Sequence, residues 1–336
     1  MINFNKLLFM NLLFSSTFIS ISATSWFTAW IGLEMNLLAF IPLMKTKSNK
    51  FSSEASIKYF IIQAMGSSCF LFFMLLFLNL NFIKLEFNMA SSILINLTLI
   101  LKMGAAPLHF WLPEVVSGME WNSIMFLLTW QKITPMILMY YSIYSPLLIT
   151  LITILSSFIS SVQGMNQISL RKFMAFSSIN HTGWMLCTLM ISLSLWFLYF
   201  MIYLIMSLNI LSLFNKFQIY FINQLTKLFF MNKKLKFIFM LNFFSLGGLP
   251  PFIGFMPKWV LLNLLMNSKF FLLSFMLLMF TLLILYMYIR LTIPSALFNI
   301  LESFTNPMKN LKPMNFFFNS FILYSLPLCL LMTQFF

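Results

Sequence analysis

The sequence is a train of apolar runs, each about as long as a bilayer is thick, joined by links as short as residues 22–25 and 144–146. A hydrocarbon core of about 30 Å takes about 20 apolar residues per helix. About eleven such runs are present, near 4–22, 25–44, 55–79, 92–111, 121–141, 146–164, 173–191, 194–217, 237–266, 271–291 and 316–335. Only 8% of the 336 residues are charged, against about 25% in a soluble domain. That excludes a water-soluble globular enzyme, a disordered chain and a coiled coil, and leaves a polytopic all-α membrane protein. The first run has the look of a signal peptide, but a second run follows at once, so both are read as spans.

The charges that do occur are lopsided. Twenty Lys and Arg stand against six acids, all Glu, for a formal charge of +14. Such a balance is also found in nucleic-acid binders. Here the positive residues are scattered between apolar runs and form no basic face, so no nucleic acid is expected. They instead follow alternate links. Lys6, Lys45, Lys47, Lys50, Arg171, Lys172, Lys216, Lys227, Lys233, Lys234, Lys236, Arg290, Lys309 and Lys312 fall on one side, and only Lys84 and Lys269 on the other. The positive-inside rule then puts the N-terminus inside and, after eleven crossings, the C-terminus outside. Cys69, Cys187 and Cys329 lie apart in apolar runs and form neither a disulfide framework nor a metal motif. The excess of Phe (44) and Met (28) is what an A/T-rich animal mitochondrial gene encodes.

Five titratable residues remain inside the apolar runs: Glu34, Lys58, Lys102, Lys132 and Lys258. A Lys at the centre of a spanning helix costs about 2.5–3.5 kcal/mol on insertion scales. Glu34 sits about nine residues into its run, roughly 14 Å deep at 1.5 Å per residue. Lys102 and Lys132 are each about ten residues in. A proton or ion path is the functional reading of these groups, and a static buried ion pair is the alternative. Lys58, near the start of its run beside Glu54, reads equally as a solvated end residue. Two unit charges 4 Å apart at an effective dielectric of 20 interact by about 4 kcal/mol. Moving one partner therefore decides whether a buried Lys keeps its proton, a switch that Arg does not offer.

Two runs contain breaks. In Leu101-Lys102-Met103-Gly104-Ala105-Ala106-Pro107-Leu108-His109, Pro107 removes a helix hydrogen bond and Gly104 loosens the turn beside Lys102. His109, two turns past Lys102 on the same helix face, reads as a proton relay or, equally, as a satisfied structural histidine. In Ser245-Leu246-Gly247-Gly248-Leu249-Pro250-Pro251 no continuous helix survives, and Lys258 follows closely. Broken helices at membrane depth line cavities. Their matching positions, fourth of five in each half, predict an inverted-repeat transporter. Repeat one spans about 4–141, repeat two about 146–291, and a C-terminal helix about 316–335. Gln63, Gln131, Asn180 and His181 are further polar residues at depth that hold water or bond across helices.

These stretches, together with Trp30-Ile31-Gly32-Leu33-Glu34-Met35-Asn36, Trp130-Gln131-Lys132-Ile133-Thr134-Pro135 and Ser169 to Trp184, resemble the NADH–ubiquinone oxidoreductase chain 2 family. The match runs in order over nearly the whole chain, in the short animal form, insect-like, that lacks the first three helices of bacterial relatives. The resemblance implies an antiporter-like proton-translocating subunit of respiratory complex I in the mitochondrial inner membrane, N-terminus on the matrix side and C-terminus on the intermembrane-space side. It implies that Glu34 and Lys102 form a coupling pair, that Lys132 is the central proton-transfer residue, that Lys258 lies near the exit and that His109 is a relay. No cofactor is expected in this chain, since no Cys cluster or dinucleotide fingerprint occurs. FMN, iron–sulfur clusters and ubiquinone are expected elsewhere in the complex. The expected partners are other membrane subunits of complex I, including those of the chain 4 and chain 4L type, and the lipid bilayer with its cardiolipin. Rival readings are a stand-alone cation/proton antiporter of the same fold, a di-haem carrier using His109 and His181, and a scaffold.

Overall fold

The computed structural model describes residues 4–45, 49–80, 85–143, 146–225 and 233–297. Among them all regular structure is helical, apart from one antiparallel bridge between Ser169 and Phe221. We number the helices α1 (Phe4–Ile21), α2 (Trp26–Met44), α3 (Lys50–Leu80), α4 (Leu85–Met103), α5 (Trp111–Gly118), α6 (Trp121–Leu128), α7 (Ile133–Tyr141), α8 (Pro146–Met165), α9 (Leu170–Ile191), α10 (Leu193–Phe217), α11 (Lys233–Gly247), α12 (Phe255–Asn267) and α13 (Phe271–Leu297). A short 3-10 turn, Trp130–Lys132, links α6 to α7.

Among the described residues, six helices are long and apolar enough to cross a membrane. These are α1, α2, α3, α8, α10 and α13. The other expected spans differ for physical reasons. The run at 92–111 stops being helical at Met103, and 237–266 divides into α11 and α12, as the glycines and prolines predict. The run at 121–141, expected to be continuous, divides into α6 and α7. The 173–191 span lies in α9, whose middle carries Ser177, Ser178, Asn180, His181 and Thr182 and so falls short in hydropathy. The expected helix at 316–335 lies outside the described residues.

The described residues pack as two compact units, divided between Ser156 and Ser157. In the first unit, α1 and α2 pair closely because Gly32 has no side chain. A Cβ there would sit 2.7 Å from Ser20 Cβ and 2.9 Å from its backbone nitrogen. Ser25 caps α2 by accepting from the Thr28 N–H at 3.3 Å, while the Thr28 hydroxyl accepts back from the Ser25 N–H. Trp30 Nε1 donates to Ser67 O at 3.1 Å, and Phe40 meets Tyr59 edge-on at 5.3 Å, which pins α2 to α3. Lys58, two turns into a helix that starts earlier than expected, pairs with Glu54 at 3.1 Å and with Glu114 of α5 at 3.3 Å.

Helices α4 and α7 are joined by a reciprocal buried pair. Asn96 Nδ2 donates to Ser142 O at 3.0 Å, and the Ser142 hydroxyl donates to Asn96 Oδ1. Interhelical hydrogen bonds in membranes average about 0.6 kcal/mol and reach about 1.7. Asn96→Leu breaks both bonds at once and is expected to cost about 1–2 kcal/mol, read as a lower thermal midpoint of the purified protein in detergent.

In the second unit α9 is buried on nearly every face. An aromatic cluster of Phe173, Phe214, Phe239, Phe243 and Tyr288 ties α9, α10, α11 and α13 together. Helix α13 turns an opposite stripe outward: Leu272, Phe275, Leu278, Met279, Leu282 and Tyr286 are all exposed. A continuous apolar stripe of this kind would be a liability in water and suits lipid contact. Hydroxyls on the apolar helices return to carbonyls of their own helix, as in Ser16 to Leu13, Thr17 to Phe14 and Ser156 to Thr153. They therefore add little polar cost at depth.

Candidate functional site

The first and second broken helices end with the same device. Gly104 and Gly248 have φ of +70° and +78°, a region that favours glycine. The N–H of Gly104 reaches Leu101 O at 3.2 Å and that of Ala105 reaches Ile100 O at 3.2 Å. Equivalently, Gly248 reaches Ser245 O at 3.1 Å and Leu249 reaches Phe244 O at 3.3 Å. Both are Schellman caps, which satisfy the terminal carbonyls and stop the helix.

A lysine stands at each end. Lys102 occupies the last turn of α4, and Lys258, from α12, donates to Gly247 O at 3.0 Å, the last residue of α11. The C-terminal end of a helix carries partial negative charge, which favours an ammonium. Lys258 also lies over the Trp184 ring at 5.7 Å. Gly248 leaves it that room, because a Cβ there would sit 3.0 Å from Lys258 Nζ.

Lys102 lines a small cavity of about 20 Å³, together with Leu33, Asn36, Tyr59, Gln63, Gln131 and Thr134. Polar walls and space of this size admit water. Gln63 Nε2 donates to Lys102 O at 3.3 Å and Trp111 Nε1 donates to Leu101 O at 3.0 Å, which braces the break from two sides. Gly66 on α3 leaves space for the lysine's aliphatic stem. Glu34, half-buried on α2, acts electrostatically on Lys102. No ion pair within 4 Å joins the two.

Lys132 is 1% exposed and ends the 3-10 turn Trp130–Lys132. It belongs to the same unit as Lys102 but not to the cavity wall, to which its neighbours Gln131 and Thr134 contribute. His109 departs from its expected position. Because α4 ends at Met103, His109 shares no helix face with Lys102. It is buried in the link to α5, where its Nδ1 donates to Pro107 O at 3.2 Å. In the second unit, His181 Nδ1 lies 3.1 Å from the Tyr199 hydroxyl, and both side-chain polar atoms of the neighbouring Asn180 are buried without a hydrogen-bond partner. Asn36, Tyr59, Thr134 and Trp184 are site residues that sequence reasoning did not single out. Asn36 was detectable as an amide one turn from Gly32 on the inward face of α2. Among the described residues no group of three or more His, Cys, Asp or Glu is placed to hold a metal.

The profile of the family described as NADH:quinone oxidoreductase/Mrp antiporter, TM, matches residues 23–285. NADH-ubiquinone oxidoreductase chain 2 of Anopheles gambiae is 48% identical over 290 residues, covering 85% of this chain and 84% of that protein. The chain belongs to the NADH-ubiquinone oxidoreductase chain 2 family. The likeness extends to mammals, where the chain 2 protein of Ovis aries is 39% identical over 289 residues, covering 84% of this chain and 82% of that one. The family's fold is shared more widely. A chain of respiratory complex I from Thermus thermophilus superposes with a TM-score of 0.83 at 20% identity, covering 97% of this chain and 80% of that chain. A chain of the Mrp complex from Dietzia sp. DQ12-45-1b gives 0.75 at 16% identity, covering 83% and 58%. The antiporter-like all-helical fold expected from the two breaks is the fold found.

Proposed function

We propose that this chain is an antiporter-like subunit that moves protons across the mitochondrial inner membrane as part of NADH:ubiquinone oxidoreductase. Electron transfer from NADH to ubiquinone takes place in other subunits, which hold the FMN and iron–sulfur clusters. The observation that carries the reading is Lys102. Its ammonium lines a cavity that admits water, and the nearby carboxylate of Glu34 acts on it without locking it into an ion pair. A charge held that way is easily reset: displacing Glu34 by a few ångström changes the pair's interaction by about 1–2 kcal/mol at an effective dielectric of 20. That is enough to move a proton on or off the lysine. In this reading the change passes from Lys102 to Lys132 and on to Lys258, in two inverted repeats of about 4–141 and 146–291. His109 keeps its relay role only through its ring Nε2, since Nδ1 is bonded to Pro107 O. Membrane subunits of the chain 4 and chain 4L type and cardiolipin-containing lipid are the proposed surroundings, with the N-terminus in the matrix.

The test is proton delivery per electron pair in the purified complex reconstituted in liposomes. Glu34→Gln and Lys102→Met are expected to lower the ratio of protons moved to NADH oxidised. An unchanged ratio in both assembled variants overturns the reading. A stand-alone cation/proton antiporter is the second reading, since the family also takes in Mrp antiporters. Sodium-driven proton movement by the isolated chain in vesicles would favour it.

A further inference from the structure

The mechanism above leaves open what holds the turn bearing Lys132 in register with the helix bearing Glu34. The two are 98 residues apart in sequence, and the turn has given up regular helix geometry. A hydrogen bond joins them. Gln131 Nε2 donates to Asn36 Oδ1 at 3.0 Å. Gln131 immediately precedes Lys132, and Asn36 lies two residues beyond Glu34. Both amides line the cavity that Lys102 also lines. Each uses one of its polar atoms in this bond. This bond leaves the Asn36 Nδ2 donor and the Gln131 Oε1 acceptor for other partners.

We infer that the Asn36–Gln131 amide pair is a positioning device for proton passage: it fixes the Lys132 turn against α2 and offers water in the Lys102 cavity one donor and one acceptor on the way to Lys132. The inference rests on the proposed function. Neither amide titrates, so the pair carries no proton of its own. Its part is to orient the water that does, and to make the Lys132 turn follow α2 when Glu34 is displaced. A hydrogen bond between neutral groups suits this task, because it holds position without adding a competing charge beside Lys102 and Lys132.

The experiment uses the whole complex in liposomes, with electron flow and proton movement measured together. Gln131→Met keeps the side-chain length and removes both polar atoms. It is expected to assemble, to retain NADH oxidation within about twofold, and to lower the proton-to-electron ratio to the value given by Lys132→Met. The exchange Asn36→Gln with Gln131→Asn preserves the summed reach of the two amides and is expected to restore the ratio. A role limited to packing would not produce that recovery together with retained electron flow. If Lys132→Met lowers the ratio and an assembled Gln131→Met complex does not, the inference fails and the proposed function stands. If Lys132→Met leaves the ratio unchanged, the proposed function fails, and the inference with it. Asn36→Ser breaks the same bond with a smaller change and replaces Gln131→Met should that variant not assemble. An unchanged ratio there overturns the inference equally.

Discussion

Lys132→Met is expected to abolish proton transfer through this chain while the complex still assembles. The lysine is 1% exposed in the middle of an apolar unit. Holding an ammonium in such a place costs several kcal/mol even after relaxation. Methionine has nearly the same length and fills irregular space without a charge. The two readouts should therefore move apart, with the ratio of protons to electrons falling and the complex still assembling at normal abundance. Damage to the fold would lower both. A static ion pair predicts the reverse pattern, because removing one partner of a buried pair leaves the other uncompensated at a cost of about 3–5 kcal/mol.

Gly254→Ala is expected to prevent the second broken helix from forming. A Cβ at this position would lie 1.8 Å from the backbone oxygen of Ser245 and 3.1 Å from Met206 Sδ. The first contact is with main chain, so no side-chain rotation relieves it. Overpacking that must be absorbed by backbone movement costs about 1–3 kcal/mol and sometimes more, and here the upper end is expected, seen as little or no assembled complex on native gels. Gly247→Ala provides the control. Its Cβ would meet Tyr288 Cδ2 at 3.4 Å, an ordinary contact. Adding Ala at a helix end costs nothing in propensity, so this variant should accumulate normally.

Much of this architecture was legible in the residues. Gly104 and the Gly247-Gly248 pair, with prolines just beyond, announced both capped breaks, because glycine reaches positive φ without strain and proline cannot continue a helix. The third interruption was missed. The run at 121–141 contains no glycine, and its signal is a single residue: Pro135 has no N–H to offer the carbonyl of Gln131, four residues earlier. Pro42 shows why that signal is weak. It sits in the last turn of α2, which continues to Met44. The position of His109 was misjudged because helical spacing was carried across a break that the same stretch predicted. Lys58 was placed too near a helix end because the apolar run starts only at residue 55, past Ser52 and Ser53. Their hydroxyls bond to Asn49 O and Lys50 O, which lets the helix begin at Lys50. The meeting of Asn36 with Gln131, and of Lys258 with Trp184, spans too many residues for periodicity to disclose.

The way Lys258 is held has an electrical consequence. Its neighbours are a carbonyl oxygen and an aromatic face, and among the described residues no carboxylate pairs with it. Gaining or losing a proton there would alter the local charge by a full unit, with no counter-ion among the described residues to mask it. Such a group feels the membrane voltage directly, at about 2.3 kcal/mol for each 100 mV that a charge traverses. The occupancy of this one amine should thus shift with the energisation of the membrane, making it a built-in gauge of the gradient that the chain is proposed to build.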